Sequence, residues 1–263
     1  MKIKRLGALA LAGTMVFSMA ACGDKGEAKT SGGDKVSNEA NNVSAETVLE
    51  AFAQYSKDDD KNYSADMSMN IDMNVSGMAM KITSTNFASS YDGVTYSKVT
   101  STTNMFGAEE STVDETYTIT MEDGTVMCAT KSSEDDEWDV YEDFGLDTES
   151  DSDINVEELL DSAKIEKKGD NCYVTITMDA DEMDLSDDDI MSGIPDAKVD
   201  VVLTYNAKEE TLTEINVDVD KKIIEEAFGE MFGEVEIAEF SLKIENIKKN
   251  DKPIEIPAEI ELD

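Results

Sequence analysis

The chain has 263 residues, with 22 Lys and Arg against 60 Asp and Glu and a formal net charge of −38 at pH 7. An acidic excess of that size argues against nucleic acid and anionic membrane surfaces as electrostatic partners, because such binding rests on Lys and Arg neutralising phosphate. The sequence has no His, which removes Ser-His and Cys-His nucleophile pairs and the commonest zinc ligand sets.

Lys2, Lys4 and Arg5 form a cationic start, residues 6–17 an apolar run, and Met19-Ala20-Ala21-Cys22 sets small side chains beside a cysteine. This is the pattern of a secretory signal ending in a lipobox, with an apolar run too short for a resident span. Residues 1–21 are therefore expected to be removed. The pattern resembles that of bacterial lipoproteins. The resemblance implies a diacylglycerol thioether on Cys22, a cell-membrane address and a domain facing outside the cytoplasm. Two acyl chains at about 0.8 kcal/mol per buried methylene give on the order of 20 kcal/mol of membrane hold. Residues 22–44 read as the lipidated cysteine and a flexible tether of Gly, Ser, Asn, Lys and Glu, with a root-mean-square reach of roughly 25 Å. One folded domain is expected over 45–263.

Ser44 is placed to cap a helix whose Val48, Leu49, Phe52 and Tyr55 recur at three and four residue spacing, one buried stripe that fits packing on a sheet. After the solvated Asp58-Asp59-Asp60 run, Tyr63, Ala65, Met67, Met69, Ile71, Met73 and Val75 alternate with Ser, Asp and Asn, which predicts a long one-sided strand. Ser76-Gly77 turns it, and Met78, Met80 and Ile82 run back on the same face of an antiparallel hairpin. Short alternating strands follow around Tyr96, around Tyr117-Ile119-Met121, around Val126 and Cys128, and around Trp138 and Val140. Strands of this kind belong to an antiparallel sheet covered on one face and wet on the other.

Asp147, Glu149, Asp151, Asp153 and Glu158 have the spacing of a calcium loop, but Ser152 stands where the sharp bend needs Gly. Asn155 and Glu158 instead make a capping box for a helix carrying Leu159 and Leu160. In the second half, Cys172, Val174, Ile176 and Met178 alternate, residues 179–195 are acidic and irregular, and Val199, Val201, Leu203 and Tyr205 form the next strand. The run Leu212, Ile215, Val217, Val219 has one phase change, read as a bulge. Asp220 caps a helix with Ile223, Ile224, Ala227, Phe228 and Met231, stopped at Gly233; a last strand from Val235 to Ile244 shifts phase near Glu239. The tail through Ile254, Ile256, Pro257, Ile260 and Leu262 is expected to add an extended edge.

A lipobox, a tether, a helix leading into long amphipathic strands, two meandering halves and an Ile-Glu-Ile-Pro-Ala-Glu-Ile ending together resemble the LolA and LppX type of lipoprotein carrier over about residues 45–263. The resemblance implies an α+β, mainly antiparallel β fold: an open half-barrel of about eleven strands, with helices covering the concave face and room between for acyl chains. Met67, Met69, Ile71, Met73, Met78 and Met80 are the candidate ligand-lining residues, because thioether side chains adapt to irregular partners. The same residues fit a plain core equally well. The Met-x-Met pairs also match a soft-ligand copper(I) site, against which stands the absence of His and of a nearby Cys.

No glycine-rich phosphate loop, no G-x-S-x-G elbow and only one Trp for sugar stacking are present, so the chain is read as a non-enzyme without cofactor or metal. Cys128 and Cys172 fall on apolar strand faces, where a disulfide between the halves and two buried thiols are both open. The expected function is a membrane-anchored extracytoplasmic lipoprotein that binds, carries or senses a hydrophobic ligand, a lipid or an acylated molecule. The alternative is a non-catalytic interaction or structural lipoprotein with a solid core and an acidic outer face, or a cation-binding lipoprotein.

Overall fold

The computed structural model describes residues 42–57, 62–105, 107–121, 123–142, 156–179 and 198–261. The signal sequence, Cys22, most of the tether, the Asp58-Asp59-Asp60 run, the calcium-like stretch up to Asn155 and the acidic stretch at 180–197 lie outside the described residues.

Helix α1 (Ala45–Lys57) opens the domain. Its first turn is capped as the sequence predicts, with the Thr47 N–H donating to Ser44 Oγ at 3.1 Å. Strands β1 (Tyr63–Val75) and β2 (Met78–Tyr91) form the long hairpin. Ser76 at φ 53° and Gly77 at φ 85° supply the two successive left-handed residues that a two-residue turn of matching twist requires. Asp92 and Gly93 repeat the device before β3 (Val94–Met105). The meander continues through β4 (Ala108–Thr120), β5 (Val126–Ser132) and β6 (Asp139–Glu142).

The second half begins with helix α2 (Val156–Ser162) and strands β7 (Lys164–Lys168), β8 (Asn171–Asp179), β9 (Lys198–Asn206) and β10 (Thr211–Val219). Helix α3 (Lys221–Phe232) follows, capped by Asp220, whose carboxylate accepts from the Lys222 N–H at 2.9 Å. Gly233 ends it, its N–H donating to the Gly229 carbonyl at 2.8 Å. Strand β11 (Val235–Lys249) completes the fold.

All eleven strands make one open antiparallel sheet in the order β6-β5-β4-β3-β2-β1-β11-β10-β9-β8-β7. The two meanders therefore meet at the centre, where β1 pairs with β11, and the edges are β6 and β7. Both phase changes read in the sequence are register shifts, between Leu212 and Glu214 on β10 and opposite Asp72 and Met73 where β11 skips from Glu239 to Ile237.

The main core lies on the face where the helices pack. Helix α1 lies across β8, β9 and β10 and against α2, and α3 packs on β11. Val48, Leu49 and Phe52 of α1, Leu159 of α2 and Ile224 and Phe228 of α3 share one buried cluster with Val174, Ile176, Val199, Val201, Leu203, Ile215 and Ile244. Besides this apolar contact, α3 is tied to β11 by hydrogen bonds. The Glu225 carboxylate accepts from the Ile237 N–H at 2.9 Å, and the Lys221 ammonium donates to the Ala238 carbonyl.

The open eleven-stranded antiparallel sheet with helices on one face is the architecture expected. The described helices lie on the β8–β11 half of it, and the pairing that aligns β2 to β5 gives their helix side a different, polar character described below. One expectation is corrected: the tail adds no edge strand. Ile254, Ile256 and Ile260 pack on the opposite face of the sheet, over Tyr117, Ile119 and Ala129. Strand β11 is flanked on both sides, so no free edge adjoins the tail, and Pro253 and Pro257 lack the N–H a ladder needs.

Candidate functional site

The candidate ligand-lining residues lie together as the alternation predicts. Met67, Met69, Ile71 and Met73 share a face of β1, and Met80 stands opposite Met73 on β2. Met67, Ile71, Met73 and Met80 are each at most 4% exposed and belong to the main core cluster. Met69 is half-buried against it, and Met78, beside the hairpin turn, is 45% exposed. Deeper under α1 and α2, Cys172, Val174, Ile176, Val199, Val201 and Leu203 have no accessible surface. The space beneath the helices is filled with side chains.

An open cleft of about 340 Å³ lies beside β1, β2 and β3. Apart from Met67 and Asn86, its lining residues alternate to the face away from the helices, and they include Asp66, Thr85, Phe87, Lys98 and Glu245. Phe87 is 41% exposed there and leans on Tyr96 with ring centroids 6.3 Å apart. Charge is concentrated on the same face. Lys98 Nζ meets Glu115 at 2.7 Å, and Lys243 Nζ meets Glu214 at 3.1 Å and Glu245 at 2.6 Å. Hydrogen bonds from Lys243 to those two carboxylates hold its ammonium above the usual lysine range. Beside this cleft, Tyr96, Tyr117 and Trp138 form a ring cluster under the tail, tilted at 4.8 Å between the tyrosine centroids and edge-to-face at 5.4 Å between Tyr117 and Trp138.

Sequence reasoning missed one feature of the helix side. From Ser84 on β2 through β3, β4 and β5 this face carries mostly hydroxyl and amide side chains, in register with the apolar residues of β1. Ser84 and Asn86 are buried there, and Ser84 Oγ lies 3.4 Å from Ser101 Oγ. The signal was available in the sequence as the alternation of Ser and Thr through β3 and β4, but without the register neither face could be assigned.

Cys128 on β5 and Cys172 on β8 are buried thiols, eight strand positions apart in the sheet order. At about 4.8 Å per strand they are roughly 38 Å apart along the sheet, far beyond the reach of one disulfide. Burial pushes the Cys172 thiol up. No group of three acidic or thiol side chains among the described residues is close enough to hold a metal ion, and no described helix is long and apolar enough to cross a membrane.

No protein-family model matches the sequence, and no curated protein is significantly similar to it. Among solved structures, the chain is similar to a beta-barrel-like protein of domain of unknown function DUF1849 from Brucella abortus. The two are 9% identical with a TM-score of 0.29, over 72% of this chain and 98% of that one. A likeness at that level carries no argument about ligand or partner. The architecture itself defines the class: a mainly antiparallel β protein, one open eleven-stranded sheet with a few short helices on one side.

Proposed function

We propose that the chain is a lipid-anchored, extracytoplasmic, non-catalytic binding protein of the LolA and LppX type, which takes up an apolar ligand between its helices and its sheet. The observation that carries this reading is the apolar helix side of the sheet from β1 through β11 to β8, roofed by separate short helices, two of which rest on it through Val48, Leu49, Phe52 and Leu159. Such a roof is held by apolar contact area, which an acyl chain replaces in kind when it slides beneath. In this reading the packed Met67, Ile71, Met73 and Met80 represent the closed, unloaded state, and uptake displaces α1 and α2. The anchor on Cys22 keeps the domain at the membrane where such ligands reside.

A second reading is favoured by the zero exposure of the strand residues under α1 and α2. It takes the core as solid and the acidic outer face as the working surface, meeting a basic partner. Native mass spectrometry of the full chain, purified from a bacterial host in mild non-ionic detergent, separates the two. Bound acyl species beyond the covalent anchor, reduced by Met69→Glu at its half-buried position, support the lipid reading. A chain that carries no such species and takes up no added diacyl lipid refutes it in favour of the solid core.

A further inference from the structure

The helix side of the sheet changes chemistry at β2. Toward β8 it is Met, Ile, Val and Leu; toward β5 it presents Ser84, Asn86, Ser97, Ser101, Thr116 and Thr130. Asn86 marks the boundary. It stands between Met67 on β1 and Val99 on β3, is 4% exposed, and neither its amide oxygen nor its amide nitrogen has a partner among the described residues. Buried amides are nearly always paired, so an amide open at both ends asks for a group that both donates and accepts.

The charges on this stretch narrow the class of that group. Lys81, Lys98 and Lys131 of β2, β3 and β5 all alternate to the opposite face, while Asp114 lies in the same cross-strand row as Asn86 and Val99, and Glu110 stands further along β4. A phosphate or carboxylate placed over Asn86 would meet no cation from these strands and would face a carboxylate, the arrangement that makes a desolvated charge most costly. A hydroxyl-rich neutral group has no such penalty and pairs with Ser, Thr and the Asn amide alike.

We propose that this face is an amphipathic ligand surface. Asn86 and its flanking hydroxyls receive an uncharged sugar-type headgroup, and the acyl chains of the same lipid run toward Met67 and Met69 and under the helices. The inference rests on the lipid-binding reading above and adds the headgroup class and the residue that selects it.

The test offers the full chain, in mild detergent, an equimolar mixture of glucosyl-diacylglycerol, phosphatidylglycerol and plain diacylglycerol with identical acyl chains, and reads retained lipid by native mass spectrometry. The glucosyl lipid should be retained at least about tenfold over phosphatidylglycerol. Asn86→Leu should lower the glucosyl lipid to the level of plain diacylglycerol. Ser101→Lys, at a half-exposed position, supplies the missing cation and should raise phosphatidylglycerol severalfold, which decides the matter even if Asn86→Leu fails to fold. Phosphatidylglycerol held as well as the glucosyl lipid by the unmodified chain, or a lipid order unmoved by Ser101→Lys, overturns the headgroup assignment and leaves lipid binding standing. Retention of none of the three overturns both.

Discussion

Replacing Met73 by Ala measures how full the space beneath the helices is. Met73 is 1% exposed, lies between Met80 on β2 and Ile237 on β11, and belongs to the main core cluster. Truncating a Met in a packed core loses its transfer free energy and leaves a cavity, together about 2–5 kcal/mol. In a domain of this size each kcal/mol moves the melting temperature by about 2–4 °C, so a loss near 3 kcal/mol lowers it by roughly 6–12 °C. Met78 is the internal control: five residues away on the same hairpin and 45% exposed, its change to Ala should cost less than about 0.5 kcal/mol. Urea and thermal unfolding of both variants, followed by circular dichroism, give the comparison. A Met73→Ala variant no less stable than Met78→Ala would mean that the Met73 side chain borders open space, and the packing described here would be refuted.

Other outcomes follow from the polar and aromatic groups. Burial, reinforced by Glu115, pushes the Tyr96 phenol up to about 12, and burial likewise raises Tyr55, Tyr117 and Tyr205. The neutral phenols are thus favoured by folding, and the stability they contribute is intact below pH 10 and is lost as pH rises toward about 12. Absorbance titration at 295 nm should show Tyr55, Tyr96, Tyr117 and Tyr205 ionising late, and together with unfolding. Ile260→Asp places a carboxylate on Tyr117 and Ala129 and should lift the tail, read as a red shift of the single tryptophan, Trp138; an unchanged emission would refute the packing of the tail on the outer face. Cys128 and Cys172 should resist alkylation in the folded protein and react as two thiols in urea, with no change of mass on reduction; a loss of both thiols without reductant would place them in a disulfide and contradict this topology.

The parts of the fold that the sequence made legible are those where one residue type repeats at a fixed period. The β1 alternation from Tyr63 to Val75, the α1 stripe at Val48, Leu49 and Phe52, and the caps Ser44 and Asp220 are all found where periodicity puts them. Even the bulges near Leu212 and Glu239 announced themselves as phase slips. The candidate site was half legible. That Met67, Ile71, Met73 and Met80 share a face is a local fact of alternation, whereas their packing to 4% exposure or less depends on which helices lie above them. Strands β3 and β4 carry Ser and Thr on both their faces, so only the pairing of Asn86 with Val99, and Val99 with Asp114, reveals which hydroxyls line the helix side. The tail read as a strand because Ile254, Ile256 and Ile260 keep an even spacing, and the same spacing serves an extended segment lying across a sheet.

The pairing of β1 with β11 also sets a clock on biogenesis. Met67 finds Ile244 across 177 steps of chain, while every other ladder apart from β8–β9 and β10–β11 joins strands linked by a short turn or loop. Where the chain emerges into its folding compartment at the rate of synthesis, about 5–20 residues per second, β1 waits roughly 9–35 seconds for the strand that completes the centre of the sheet. Through that interval the first meander exists as a half-sheet with a thirteen-residue unpaired border. Its Ser, Asp and Asn on alternate positions keep that border soluble while a fully apolar one would recruit neighbours. Truncation before β11 would leave the chain in that state, with its most methionine-rich strand permanently at the edge.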